Sequence, residues 1–452
     1  MSFLSFAFLL FFLPVCALCR FLLWNKSEKL HGLLLLLASI VFIYLAQPKS
    51  LLAVGYTAAV CYFAAAFLDR HQKYRKLCYL SAVIFVVAPL FYLKYAAFFA
   101  GLFGVAVSAP DAPVGISFFT FLAVSYLTDV YRKSVKSERS PLSLALYFTA
   151  FPKFLQGPLT RYEAALPQKP SWDDCECGCE RFVLGLGKKL LLASAFANAA
   201  KTLLDGGSIS CAGAWLGSIF YALEIYFDFS GYTDMAIGIG KIFGLTLPEN
   251  FDLPYLARSV TDFWRRWHIT LSRWFRDYIY IPLGGNRKGL ARQLLNLLIV
   301  WSLTGLWHGA GVNFVLWGLY YAVLLMLEKL ALQKLFQKLP PIFGHLYALL
   351  AILIGWVLFR SSSFGQIANI LGAMFGGSRV SFGMLWLVLR QYGIALVLGI
   401  LISFGLGAKL LAWLDRSRFG QIVKLLGLLF IFALCILSRC HTGLTSFIYA
   451  QF

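Results

Sequence analysis

Apolar runs close to twenty residues long recur along almost the whole chain, as in HGLLLLLASIVFIYLA and LLGLLFIFALCILSR. Wound as a helix rising ~1.5 Å per residue, a run of that length matches the ~30 Å hydrocarbon core of a bilayer. Backbone groups in hydrocarbon must be satisfied within the protein, so repeated runs of this kind point to an all-α, polytopic membrane protein. Of the 452 residues 60% are hydrophobic and 13% charged, and no stretch reads as a soluble domain; residues 1–452 are expected to form a single membrane domain. The first run, MSFLSFAFLLFFLPVCALCR, has no basic start and no small-residue cleavage site, and reads as the first membrane helix rather than a leader.

The net charge is +20, from 40 basic and 20 acidic residues. This does not indicate nucleic acid. The basic residues gather in short loops, where the positive-inside rule places them, and there they are available to anionic lipid head groups and phosphate-bearing substrates. Arg20, Lys26 and Lys29 follow the first span; DRHQKYRK follows the third, and YRKSVKSER the fifth. QPKS carries one lysine, and VSAPDAP no basic residue. Basic and non-basic loops alternate, which puts the N-terminus outside. Of ten cysteines, three cluster in DDCECGCE: Cys175, Cys177 and Cys179. C-x-C-x-C without a nearby histidine lacks structural-zinc spacing, so it reads as a cytoplasmic loop with reduced thiols, and no metal is expected.

PLSLALYFTAFPKFLQGPLTRY begins like a span but is cut by Pro152, Lys153 and Gly157, and reads as re-entrant or interfacial. Later spans are expected at about 183–203, 211–227, 293–309, 312–328, 341–359, 384–407 and 422–440. That makes about 11–12 transmembrane helices, with the C-terminus returned to the outside. No internal repeat is visible, which removes support for an inverted-repeat transporter.

Residues 226–292 break the apolar pattern. Asp228, Asp234, Lys241, Glu249, Asn250 and Asp252 lie among apolar residues, as charges lining a cavity would. The glycines of GIGKIFG have the wrong spacing and context for a dinucleotide site and fit close helix packing. In TDFWRRWHITLSRWFRDYIYIPLGGNRKG, a continuous helix would place Trp264, Trp267, His268, Leu271, Trp274, Phe275 and Tyr278 on one face. Arg265, Arg266, Arg273 and Arg276 would fall mainly on the other. A basic amphipathic helix with an aromatic face lies in a membrane interface. That explains the arginines but not His268.

One further histidine, His308, sits in WSLTGLWHGAGVNFVLWG. Counted from Leu294 it lies roughly 20 Å along its span, well inside the apolar core. Gly305, Gly309, Ala310 and Gly311 around it permit close approach of a backbone or a substrate. A structural histidine bridging two helices is the plainer reading. A neutral imidazole that takes a proton from a reacting group is the functional one.

These residues resemble the membrane-bound O-acyltransferase family, within it the branch of alginate and peptidoglycan O-acetyltransferases. The matching stretches are PVGISFFTF, QGPLTRY, FDFSGYTDMAIG, LPENFDLPY, FWRRWHITLSRWFRDYIYIPLGGNR, LTGLWHGAGVNFVLWG and GWVLFRSSSF, a core of about residues 114–363. The resemblance implies a helical core around a central tunnel, in a bacterial inner membrane. It implies that an acyl group leaves a cytoplasmic thioester and passes to an extracytoplasmic polysaccharide such as alginate or peptidoglycan. His308 then maps onto the family's W-H-G-A histidine and becomes the general base; His268 maps onto its W-H-x-x-L histidine and positions donor or acceptor. Arg265, Arg266, Arg273 and Arg276 become candidates for binding the phosphates of acetyl-CoA. No tightly bound cofactor is implied.

The ending FIYAQF, in the tail 441–452, is similar to that of a small partner protein in the family's D-alanine branch, where a tyrosine is held to carry the acyl group. Tyr449 is therefore a candidate acyl carrier. It would hand its group to an extracytoplasmic esterase-like partner, since no G-x-S-x-G is present in this chain. Two rivals stand beside this reading. One is D-alanyl transfer to teichoic acid. The other, from a different class, is a lipid-linked-sugar flippase, which has no need of the histidine pair.

Overall fold

The computed structural model describes residues 1–108, 110–163, 166–206, 209–376 and 382–441. Two compact units share the sequence: residues 1–182 with 233–249, and residues 183–232 with 250 onward.

The first unit opens with a π-helical stretch, Ala7–Phe12, and α1 (Leu13–Leu22). It continues with α2 (Glu28–Ala46), α3 (Pro48–Arg70), α4 (Arg75–Leu102) and α5 (Ile116–Tyr131). Only Gln47 separates α2 from α3. Pro48 lacks an N–H to continue the first helix and has the fixed φ that suits the first turn of the next. α5 is buried on nearly every side, packed against α3 and α4. The buried Arg75 guanidinium fastens this group, donating to the carbonyls of Leu68 (2.6 Å), Val130 (3.1 Å) and Tyr131 (2.8 Å). PLSLALYFTAFPKF forms α6 (Pro141–Thr149) and α7 (Phe151–Phe154), both too short to cross a bilayer, with the break at Ala150 just before the expected Pro152.

DDCECGCE is not a loop. It lies within α8 (Trp172–Gly187), whose start is fixed by a reciprocal cap: Ser171 Oγ accepts from Asp174 N (3.0 Å), and Asp174 Oδ2 accepts from Ser171 N (2.9 Å). Cys175, Cys177 and Cys179 are free thiols on that helix. The GIGKIFG glycines do pack closely. A Cβ on Gly238 would stand 2.5 Å from the Gly178 carbonyl, and Gly244, at φ +78°, lies against Gln168. Asp234 and Glu249 are both bound by Arg181, Asp234 at 2.8 Å and Glu249 at 2.5 Å.

The second unit holds a π-helical stretch, Lys188–Ala193, then α9 (Ser194–Leu204) and α10 (Cys211–Ile242), of which residues 211–232 belong to this unit. Two short helices follow, α11 (Val260–Arg266) and α12 (Ile269–Phe275). Then come α13 (Leu290–His308), α14 (Val312–Leu327), α15 (Gln333–Phe336), α16 (Pro341–Arg360), α17 (Phe364–Phe375), α18 (Phe382–Ser403), α19 (Leu406–Leu414) and α20 (Arg418–His441). α13 and α14 form a hairpin in which Gly305 and Gly318 lie backbone to backbone. A Cβ on Gly305 would sit 2.4 Å from the Phe314 carbonyl, and one on Gly318 2.4 Å from that of Trp301. Asp228 is buried against Lys189 in an ion pair.

Among the described residues nine helical stretches are long and apolar enough to cross a membrane, and Ala7–Leu22, Ile116–Tyr131 and Phe364–Phe375 are shorter apolar helices. α10 runs 32 residues, past the end of the 211–227 span expected from the sequence, and carries Glu224, Asp228, Asp234 and Lys241 within it. The chain is an all-α, multi-pass membrane protein.

Candidate active site

The expected continuous helix through Trp264 and Tyr278 is broken between α11 and α12. Its cause lies outside the segment. Residues 250–252 run antiparallel to it, through a Phe251–Trp267 bridge and bonds from Asp252 N to Arg266 O and from Ile269 N to Asn250 O, each 3.0 Å. The pairing holds Trp267 extended (φ −103°, ψ 129°) and His268 left-handed (φ 45°, ψ 53°). A non-glycine residue there costs on the order of 1–3 kcal/mol, and such strain concentrates where a side chain must be aimed. The aromatic residues nonetheless stay inside: Trp264, Trp267, His268, Leu271, Trp274, Phe275 and Tyr278 are all buried.

The start of α11 is held from a distance. Ser259 Oγ accepts from Asp262 N (3.0 Å). The buried Glu328 carboxylate, in a π-helical stretch after α14, accepts from the backbone of Val260 (2.5 Å) and Thr261 (2.9 Å) and from the Thr261 hydroxyl. A carboxylate at a helix start satisfies orphan N–H groups and opposes the positive end of the helix dipole.

His268 is fixed by Asn250, which is fully buried. Asn250 Oδ1 lies 3.2 Å from Thr270 N, 2.7 Å from Thr270 Oγ1 and 3.3 Å from His268 Nδ1. A backbone N–H can only donate, so the atom facing it is the amide oxygen, and His268 Nδ1 must carry the proton. Burial pushes the imidazole down to about 3, so the ring is neutral and Nε2 is its acceptor nitrogen. The ring meets Phe229 edge-on at 4.7 Å between centroids, with Trp307 at 6.1 Å.

His308 ends α13. It is buried among aromatic edges: Trp307 at 4.7 Å, Trp317 at 4.9 Å and Phe359 at 5.2 Å. Gln293, Leu297, Val300, Trp301, Thr304 and His308 recur at helical spacing and form one face of α13. That face borders a cavity of 610 Å³. His268 and His308 both line it, and so do Arg265, Arg273, Arg276 and Lys329. From Gln293 to His308 the helix rises about 22 Å. The cavity is thus elongated, with imidazole at the His308 end and cations from α11, α12 and the stretches that follow α12 and α14.

Arg266 stands apart from the other three arginines. It does not line this cavity, and Asp262 (3.0 Å) and Asp252 (3.6 Å) engage it; Arg276 lines the cavity while its Nε donates to Asp277 (2.7 Å). Tyr449 lies outside the described residues. Glu328 and Lys329 have no role in the sequence reading, and Asn250 figures there only among the polar residues expected to line a cavity. The spacing of Gln293, Trp301 and Thr304 relative to His308 was the available signal for the α13 face; Glu328 and Lys329 are distant in sequence and carried none.

Comparison with known proteins supplies the family. Residues 35–363 match the model of MBOAT, the membrane-bound O-acyltransferase family. A probable alginate O-acetylase of Pseudomonas aeruginosa is 34% identical over 440 residues, covering 93% of this chain and 81% of that protein. The peptidoglycan O-acetyltransferase of Helicobacter pylori is 34% identical over 419 residues, covering 83% and 80%. The teichoic acid D-alanyltransferase of Bacillus subtilis is 28% identical over 324 residues, covering 66% and 76%. With a family match spanning most of its length, and relatives of this similarity over nearly all of it, the chain belongs to the membrane-bound O-acyltransferase family.

Proposed function

We propose that the chain takes an acetyl group from acetyl-CoA on the cytoplasmic side of a bacterial inner membrane and passes it toward an extracytoplasmic polysaccharide, with both termini outside. One observation carries this reading: a single elongated cavity lined by His268, His308, Arg265, Arg273 and Arg276. A thioester with a phosphate-bearing handle fits such a lining, its anionic end on the cations and its acyl end toward imidazole. The relatives named as O-acetyltransferases support acetyl as the group moved. The teichoic acid relative is less similar and covers less of the chain, which makes D-alanyl transfer the weaker reading. Family membership favours acyl transfer over a flippase.

In the proposed reaction an acceptor hydroxyl oxygen attacks the thioester carbonyl carbon. His308 takes the hydroxyl proton as the new C–O bond forms. The C–S bond breaks, and the thiolate leaves as CoA after the proton returns to it. His268, held with Nδ1 toward Asn250, offers Nε2 as a fixed acceptor that orients donor or acceptor. Tyr449 is the proposed first acceptor; an esterase-like partner outside then moves the acetyl group from tyrosine to sugar. Arg266 is assigned a smaller share in donor binding than the other three arginines.

The test is release of free CoA from acetyl-CoA by purified protein in lipid nanodiscs. Wild type is expected to be active and His308→Ala to lose about 10²–10⁴-fold, the usual contribution of a general base. Equal activity in both proteins would make His308 a packing residue. No activity in either would overturn acetyl-CoA as a donor that this chain uses alone.

A further inference from the structure

Arg20, at the last turn of α1, is 2% exposed and forms no ion pair among the described residues. Its Nη1 donates to His31 Nε2 at 3.3 Å; a guanidinium cannot accept, so His31 is the acceptor there and carries its proton on Nδ1. The Nε and Nη2 atoms of Arg20 are buried with no hydrogen-bond partner. Those two nitrogens form one edge of the guanidinium, the fork that matches two oxygens of a phosphate or carboxylate. A buried cation with that edge unused is costly, and it calls for an anion. Glu28 is within electrostatic reach of His31 but does not pair with Arg20.

The surroundings say which anion. Trp24 lies over the guanidinium, 5.4 Å to its ring centroid, and stacks on Trp172 at 4.4 Å; Phe21 packs on Trp172 at 5.6 Å. Trp172 is 59% exposed, Phe21 51% and Leu22 69%. Exposed tryptophan beside exposed apolar residues marks the head-group level of a bilayer. Lys26, Lys29 and Lys169 are exposed around this group, and the charge of Lys169 reaches His31. Basic pockets between membrane helices, rimmed in this way, suit phospholipid head groups.

We propose that Arg20 is the floor of a binding site for an anionic phospholipid. Its Nε/Nη2 edge takes two phosphate oxygens once the Trp24–Trp172 pair lifts, Lys26 and Lys169 flank the head group, and the acyl chains lie along Phe21 and Leu22. The site shares no residue with the histidine cavity, and the acyl-transfer reading does not depend on it.

The experiment titrates delipidated, detergent-solubilised full-length protein with short-chain phosphatidylglycerol, phosphatidylcholine or inorganic phosphate, and reads binding by native mass spectrometry and by thermal shift. Wild type is expected to bind phosphatidylglycerol about tenfold more tightly than phosphatidylcholine: both offer the two phosphate oxygens, but the choline cation of phosphatidylcholine is repelled by Arg20, Lys26 and Lys169. Arg20→Gln abolishes that preference, and Arg20→Lys, which keeps the charge but not the fork, retains only part of it. Equal binding of the two lipids by wild type overturns the proposal, and so does an undiminished preference in a folded Arg20→Gln. A shift with inorganic phosphate equal to that with lipid overturns the lipid assignment in favour of a soluble anion. The wild-type arms decide the matter even where a variant fails to fold.

Discussion

Replacing Asn250 with alanine removes one acceptor shared by three buried donors: Thr270 Oγ1 at 2.7 Å, Thr270 N at 3.2 Å and His268 Nδ1 at 3.3 Å. A net buried hydrogen bond is worth about 1 kcal/mol, and a buried donor left without an acceptor costs about 1–3 kcal/mol. The His268 contact is the longest, so the two Thr270 bonds dominate, and Asn250→Ala should cost about 2–4 kcal/mol. Unfolding in mixed micelles, followed by tryptophan fluorescence, measures this directly. Asn250→Asp separates packing from protonation. It keeps the acceptor in place but adds a carboxylate beside His268 Nδ1, which favours the imidazolium. The wild-type ring, held down to about 3, stays neutral from pH 5 to 8. In Asn250→Asp the ring becomes protonated at a higher pH, Nε2 ceases to be an acceptor, and CoA release should fall as pH is lowered through that range and recover as it is raised. A loss below about 0.5 kcal/mol for Asn250→Ala, with an Asn250→Asp pH profile parallel to wild type, would refute the role assigned to Asn250.

Three further outcomes are expected. Arg273→Ala and Arg276→Ala should each raise KM for acetyl-CoA about tenfold at low salt with little change in kcat, whereas Arg266→Ala should change it about twofold or less, because Arg266 does not line the cavity. Glu328→Ala should destabilise the chain by about 2–4 kcal/mol, seen in the same unfolding assay, since it strips the acceptor from the first turn of α11, and Glu328→Gln should recover part of that. Tyr449→Phe should abolish labelling of the chain by radioactive acetyl-CoA and stop acetylation in the presence of the partner; label retained on Tyr449→Phe would assign the carrier to another residue.

The membrane helices were legible because their signal is local: length and hydropathy decide them. The interruption of PLSLALYFTAFPKF was legible for the same reason, since proline and the polar residues around it sit inside the run. So was the packing of GIGKIFG, where removing Cβ atoms lets Gly238 approach Gly178. Non-local pairing was not legible. Helical periodicity put the aromatic residues and His268 on one buried face correctly, yet it could not reveal that residues 250–252 break the helix at His268. The acids of residues 226–252 looked like cavity lining, but Asp228, Asp234, Glu249 and Asp252 each have a cationic partner, in Lys189, Arg181 and Arg266, that hydropathy does not disclose. The helix through DDCECGCE did have a local signal, the S-x-x-D of Ser171 and Asp174, which goes unused when the stretch is read only for metal spacing.

In the proposed function one cavity holds the donor with its thioester at His308 and its phosphates at Arg265, Arg273 and Arg276. A cryo-electron microscopy structure in nanodiscs with a non-hydrolysable acetyl-CoA analogue tests it most directly. The analogue's carbonyl is expected within about 3.5 Å of the His308 imidazole, with phosphate oxygens on Arg265, Arg273 or Arg276. An analogue bound elsewhere, or seated in this cavity with its phosphates at the His308 end, would contradict it.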